Sequence, residues 1–426
     1  MRKLLLLSAL SFTLTYATNG DELVGISQSS RGMGGVGVGL PTGFLESILR
    51  NPAWLPFYKG GFLFSFEGVL FVPKVRTTVY ATLDADDARP GYPALFSASA
   101  RSRDEAFLIP SAGLAYRVSR RLALGVAAFG VSGMGVDYRN ESPLLAQVRT
   151  SFRFMRVVPS LGYLLSPRLS VGLGLHLSWG SLELNALSCE AKDADGDGLI
   201  TFTGCRPAGG GGSSAFGLGF SVGLAFKTEH LYAGLAYRSP VYARYRRVFD
   251  SDGDGRYEDL VLEQPSELGA GAGLRLGRLL AGLDLRRLNW SEAAGYRHFG
   301  WRDQWVLALG GAYEVSPRLT LRAGWNYGKS PVRDAEGASS YPSVRVPYFT
   351  KVFSPYELYW LNAVAFPAVA EHHLTLGFGL KLGPKAELNG SLVYAPPGSV
   401  RVSSEHQTVR SKMYQLSFGL GLSWSF

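Results

Sequence analysis

The chain has 426 residues, 53 of them glycine, with 12% aromatic and only 18% charged side chains. Charged residues make up about a quarter of an ordinary soluble chain, so an ordinary soluble domain describes this one poorly. The net charge of +9 is scattered over turns and loops without an aromatic-interleaved basic patch, which sets nucleic acid aside and favours anionic lipid headgroups.

Residues 1–17 read as a signal peptide: Arg2 and Lys3 form a basic start, Leu4 to Leu14 an apolar core, and Thr15-Tyr16-Ala17 a small-residue cleavage site. Export puts the only two cysteines, Cys189 and Cys205, in an oxidising compartment, where a pair closing a short loop is expected to be a disulfide. Residues 18–60 do not alternate. They run through SRGMGGVGVGLPTGFLESILRNPAWL and end in a short amphipathic stretch at Arg50-Asn51-Pro52-Ala53. A segment too small for a domain, ahead of the first strand, is expected inside the structure that follows.

From Gly61 the chain offers fourteen strand-like stretches: 61–72, 107–117, 121–133, 148–165, 168–183, 213–227, 229–246, 260–276, 278–290, 301–315, 318–328, 370–382, 384–395 and 411–426. In the last of them Tyr414, Leu416, Phe418, Leu420, Leu422, Trp424 and Phe426 share one parity, and small polar residues take the other. Side chains alternate across a strand, so one face is wholly apolar. No stretch after residue 17 has 18 uninterrupted apolar residues, which argues against helical spans. A closed barrel is the other structure that leaves no backbone group unpaired in lipid.

The connections alternate in length. Tight turns at 118–121, 165–168, 227–230, 276–279, 315–318 and 382–385 alternate with long connections at 73–106, 134–147, 184–212, 247–259, 291–300, 329–369 and 396–410. Short periplasmic turns, long external loops and an even strand count describe an outer-membrane barrel with both termini periplasmic. The expected fold is therefore all-β: a fourteen-stranded antiparallel transmembrane β-barrel over residues 61–426, in the bacterial outer membrane, among its lipids and lipopolysaccharide.

The segment SRGMGGVGVG with RNPA at 50–53, the run LRAGWNYGKSPV at 321–332, and FPAVAEHHLTLGFGLKLGPKAELNGSLVYAPP at 366–397 together resemble the FadL/TodX family of outer-membrane channels for fatty acids and other hydrophobic compounds. The resemblance implies a monomeric barrel with an N-terminal hatch at 18–60, contacted through Arg50, Asn51, Pro52 and Ala53. It implies capture of a hydrophobic substrate among external loops, an interior pocket, and lateral release into the membrane beside a kink of the third strand. Gly133 and Gly135, in GMGVDY at 133–138, fall on the kink segment and would mark the lateral opening.

Two acidic loops match the first half of a calcium loop, in which alternate carboxylates converge on one hard cation. They are Asp193, Asp195 and Asp197 before Gly198, and Asp250, Asp252 and Asp254 before Gly255, with Glu258 and Asp259 available to complete the second. Calcium in external loops is expected on that basis, and Cys189 and Cys205 bracket the first loop. No catalytic grouping is found: the six histidines are dispersed, and His176 has no oriented base and third group near it. Asp284, Arg286 and Arg322 share the inward parity and are expected to pair with one another or with the hatch. The function expected is passive uptake of hydrophobic molecules; the alternative is an adhesin-like barrel with calcium-stiffened loops.

Overall fold

The computed structural model describes residues 19–84, 90–91, 93–193, 195–197, 199 and 201–426, so the signal peptide and Gly198 lie outside the described residues. Fourteen strands close into an antiparallel barrel. They are β1 (Phe62–Asp84), β2 (Phe107–Arg117), β3 (Leu122–Asp137), β4 (Arg149–Leu164), β5 (Leu169–Asn185), β6 (Gly212–Lys227) and β7 (Leu231–Arg238), followed by β8 (Glu267–Leu276), β9 (Leu279–Leu288), β10 (Gln304–Glu314), β11 (Leu319–Gly328), β12 (His372–Lys381), β13 (Ala386–Ser403) and β14 (Gln407–Ser425). Each pairs with the next, and β1 pairs with both β2 and β14, which closes the ring. A fifteenth strand, Pro93–Arg101, folds back onto the top of β1, with Arg76 opposite Arg101.

The side-chain pattern explains how the wall is placed. On the lower part of β1, Phe66 and Leu70 face out while Ser65 and Glu67 are buried inside. From Lys74 upward the apolar face changes sides: Val75, Val79 and Ala81 are buried inside, and Arg76 and Tyr80 face out. The same inversion occurs on β14, where Val409 and Met413 point in and Arg410 and Lys412 point out. A strand in lipid must be apolar outside, whereas one above the membrane packs its apolar face on an internal core. The inversion therefore marks where the wall leaves the bilayer.

That inversion also accounts for where the sequence reading stops short. β1 does not end at residue 72, nor β13 at 395, and the long connection expected at 396–410 is a strand hairpin with a turn at 404–406. The strand expected over 229–246 ends at Arg238, and that expected over 260–276 begins at Glu267. Pro240 and Pro265 sit at these breaks, and proline cannot donate to a central ladder. The residues between them form a separate hairpin, Arg244–Phe249 with Glu258–Val261. A second small hairpin, Leu187–Lys192 with Thr201–Pro207, carries a disulfide between Cys189 and Cys205.

Residues 19–58 fill the lower lumen and are nearly all buried. Two short helices (α1, Gln28–Arg31; α2, Phe44–Arg50) and a 3-10 turn (Pro52–Phe57) give this segment its only regular structure. Its backbone is held by side chains from the wall. The Asp284 carboxylate accepts the consecutive N–H groups of Gly37, Val38 and Gly39 at 2.7, 2.7 and 2.8 Å. Ser170 donates to the Ala53 carbonyl at 2.6 Å, and Asn51 donates to the carbonyls of Val38 and Leu224, each at 3.1 Å. Lumenal glycines make this approach possible. A Cβ on Gly172 would lie 2.2 Å from the Ala53 nitrogen, and one on Gly234 would lie 1.9 Å from the Val38 oxygen.

Other inward charges are paired as well. Arg50 bonds both Glu267 oxygens at 3.0 and 2.9 Å, while Arg238 bonds Glu22 and Glu267. Arg286 lies 3.4 Å from Glu267, and Arg322 meets Asn389 at 2.9 Å and Glu387 at 3.4 Å. Removing the Asp284 carboxylate would leave three buried N–H groups without acceptors, at about 1–3 kcal/mol each. Asp284→Ala is expected to keep the barrel folded while residues 19–58 become cleavable in limited proteolysis. The check is the mass of the barrel after protease.

Candidate functional site

The wall is incomplete beside β3. This strand pairs with β2 only from Ala123 to Phe129. A register shift between Gly130 and Ser132 follows, and from Phe129 to Met134 every residue is buried, so the in-out alternation is lost. Such a bulge bends a strand and re-aims it. The bend falls at Val131, two residues before Gly133. Gly135 lies further along the bent part and is half-buried. Above the bend the free edge of β3 is taken by the N-terminal segment: Leu23 N–H donates to the Val131 carbonyl at 3.0 Å, and Gly133 N–H donates to the Asp21 carbonyl at 3.1 Å.

The bent strand faces an apolar interior. Met134, Leu262, Tyr296, Phe299, Trp301, Asn362 and Phe366 line a cleft of ≈ 10 Å³ there, room for about one water. Trp290, Tyr296 and Trp301 form a mutually packed trio with centroids 4.6–4.8 Å apart. A helix over the mouth, α3 (Pro355–Ala365), opens on a capping box of Ser354 and Glu357. It supplies the Asn362 oxygen that accepts Trp301 Nε1 at 2.9 Å. Any larger molecule in this interior must displace these rings.

Two buried polar groups stand at the edge of the apolar region. The Asp21 carboxylate accepts from the Tyr296 hydroxyl at 2.5 Å and from Gln264 Nε2 at 2.9 Å. Burial pushes that carboxyl up to about 7 against the lowering effect of both bonds. The folded chain thus holds this proton more tightly than the unfolded one, and that contribution fades as pH rises from about 4 toward 7. On β4, Arg156 is 1% exposed and sits opposite Phe129, the last β3 residue paired with β2. Its Nη1 lies 3.2 Å from His176 Nδ1, and its Nε and Nη2 contact no acceptor; among the described residues it belongs to no ion pair. His176 itself is fully buried, as a lumenal polar residue should be.

A more open cavity of ≈ 200 Å³ lies among the long connections, lined by Tyr242, Val261, Gly295, Arg297, Val346 and Tyr348. Arg244 stacks on Tyr348, 3.9 Å from its centroid. The second acidic loop lies beside this region. Asp250, Asp252 and Asp254 bring carboxylate oxygens within 4.8 Å of one another. Thr350 ties this loop to the connection after β11: its N–H donates to Glu258 at 2.7 Å, and its hydroxyl lies 2.5 Å from Asp252 and 2.6 Å from Glu258, with one proton to give to either. Asp259 is turned away into a pair with Arg244 at 2.7 Å. In the other loop, Asp195 and Asp197 group with Asp84 from the end of β1, while Asp193 accepts its own loop's Gly196 N–H at 2.7 Å.

Sequence reading places Asn51, Pro52 and Ala53 against the wall and brings Asp195 near Asp197. It misses Asp84, Thr350 and Arg156, which depend on neighbours across the barrel. Arg156 alone left a local trace, an inward-parity charge between Phe154 and Val158.

The family model described as outer membrane protein transport protein (OMPP1/FadL/TodX) matches residues 19–258 and 288–347. No curated protein sequence matches the chain. Among solved structures, a Pseudomonas aeruginosa FadL homologue is 16% identical with a TM-score of 0.71, covering 96% of this chain and 100% of its own. The P. putida toluene transporter TodX is 19% identical with a TM-score of 0.65, covering 95% and 99%. The Ralstonia pickettii toluene transporter TbuX is 17% identical, also at 0.65, covering 95% and 99%. None of these is an adhesin, so the adhesin-like alternative gains no support. With the family model covering most of a closed fourteen-stranded barrel, the chain belongs to the OMPP1/FadL/TodX family of outer-membrane transport proteins.

Proposed function

We propose that this protein is a passive channel that takes up hydrophobic molecules, either long-chain fatty acids or hydrocarbons, and releases them sideways into the membrane. The observation that carries this reading is the unpaired stretch of wall between β2 and β3 above Phe129, lined inside by an apolar cluster. An aqueous pore would need a polar path through the lumen, and residues 19–58 fill it. We read that segment as the hatch, the long-connection end as external and both termini as periplasmic. That TodX and TbuX are toluene transporters agrees with a hydrophobic cargo.

In this reading the cargo is caught among the long connections near Tyr242, Val346 and Tyr348, then moves into the apolar interior by displacing the Trp290–Tyr296–Trp301 group. The bent edge of β3 offers the exit, near Gly133 and Gly135. Arg156 would meet a carboxylate head at the base of the interior, since a buried guanidinium with no direct ion pair and two nitrogens lacking acceptors favours an anion. Calcium fits the two carboxylate groups by charge and ligand type. Through Thr350 the second loop would then stiffen the connection that carries Val346 and Tyr348. The ion would support capture, not passage.

Three outcomes test this. Deleting residues 19–50 should leave a folded barrel with single-channel conductance raised several-fold; an unchanged conductance rules out the hatch. Arg156→Leu should weaken binding of a long-chain fatty acid about tenfold while toluene binding stays within a factor of two, measured by titration of the purified protein. Equal losses for both ligands would remove the head-group role. Replacing Asp250 and Asp252 with Asn should weaken capture at low substrate concentration and leave uptake at saturation near wild type. A chelator should reproduce the effect on wild type and add nothing to the variant.

A further inference from the structure

The outward face of the tall sector of wall carries a cluster of cations that the channel reading does not use. Arg101, Arg76 and Lys412 form one row across the Pro93–Arg101 strand, β1 and β14, since Arg76 is the register partner of both Arg101 and Lys412. Arg401 and Arg410 face each other one step higher, on β13 and β14. All five are exposed, and among the described residues none is in an ion pair. Of the acids in this sector, Glu105 pairs with Lys74, and Asp334 accepts the backbone N–H of Arg401 at 2.7 Å. Like charges directly opposite each other on neighbouring strands destabilise a sheet. Three such pairs on adjacent strands call for an anion from outside the chain.

Their height says which anion. On β1 the outward apolar run extends from Phe62 to Val72, ten steps of about 3.3 Å along a strand tilted about 40°, or roughly 25 Å across the membrane. Lys74 and Arg76 come next, and on β14 Lys412 and Arg410 follow Tyr414 directly. The five cations therefore stand at headgroup level, at the end of the barrel where the long connections emerge. Given the external orientation read above for that end, the leaflet they meet is the outer one. Its lipid A carries phosphate at both ends of a disaccharide, and arginine side chains a strand apart can take one phosphate between them. The geometry points to a lipopolysaccharide-binding surface formed by Arg76, Arg101, Arg401, Arg410 and Lys412, with the lipid A phosphates as ligand.

The test compares wild type with Arg76→Gln/Arg401→Gln/Arg410→Gln/Lys412→Gln, both purified in mild detergent from cells that make lipopolysaccharide. Mass spectrometry of co-purified lipid should find lipid A with wild type and at least a tenfold loss in the variant. A control with Arg120, Arg168 and Arg318 at the tight turns changed to Gln should retain it. Dephosphorylated lipid A should fail to rebind delipidated wild type. In lipid-free detergent the quadruple variant should unfold at the same temperature as wild type or higher, because the repulsion is gone. Orientation is read separately by maleimide labelling of Ser404→Cys on intact cells, since both native cysteines are bonded. Surface labelling together with equal lipid A in both proteins overturns the inference and leaves the orientation standing. Absence of surface labelling, with phospholipid retained by the patch, overturns the orientation and the inference with it.

Discussion

A charge inside a closed barrel has neither lipid nor bulk water to turn to, and the structure answers that constraint with residues 19–58. Asp284 is satisfied by three successive backbone N–H groups of this segment, and Glu267 by Arg50 from it together with Arg238 and Arg286 from the wall. Breaking such a buried pair by removing one partner typically costs about 3–5 kcal/mol. The lumenal segment and the charged wall therefore depend on each other. The glycines at 172 and 234 belong to the same solution, because the backbone of the segment passes where their side chains would be.

The bend in β3 follows from the same arrangement. A strand that leaves its neighbour exposes a row of unpaired backbone groups, and in a membrane protein each must find a partner. Here Asp21 and Leu23 supply partners from the N-terminal segment, so the segment that fills the lumen also caps the open edge. The lumenal segment and the bent edge of β3 are thus one structural unit. Movement of a substrate past Met134 and Tyr296 would disturb Asp21, whose side chain bonds Tyr296 and whose carbonyl caps the edge of β3 at Gly133. In the proposed lateral route, entry to the interior and exit through the wall would be coupled by that short stretch of chain.

The fold was legible because lipid imposes period-two alternation and topology imposes alternating connection lengths. Fourteen strands and six tight turns follow from those two signals. The strand ends were less legible wherever the apolar face changes sides at headgroup level, as at Val72–Lys74 on β1 and Met413–Tyr414 on β14. An outward-apolar pattern simply stops there, although the strand continues. The bend was placed near Gly133 from resemblance, while the register shift at Val131 depends on how β4 pairs, which no local pattern encodes. The acidic loops were visible as motifs, yet their partners come from far along the chain, Asp84 from the end of β1 and Thr350 from the connection after β11. Asp259, adjacent to Glu258 in sequence, is drawn off by Arg244.

The central claim is that the cargo leaves through the side of the barrel at β3 and does not pass down through the lumenal segment. A long-chain acid carrying a diazirine near its methyl end, activated in outer-membrane vesicles and mapped by mass spectrometry, tests it most directly. The account predicts cross-links on peptides holding Phe107–Pro110 and Gly130–Val136, the two sides of the gap. Cross-links concentrated on residues 34–58 and the lower wall at Gly172 and Gly223, with none at the gap, would contradict it.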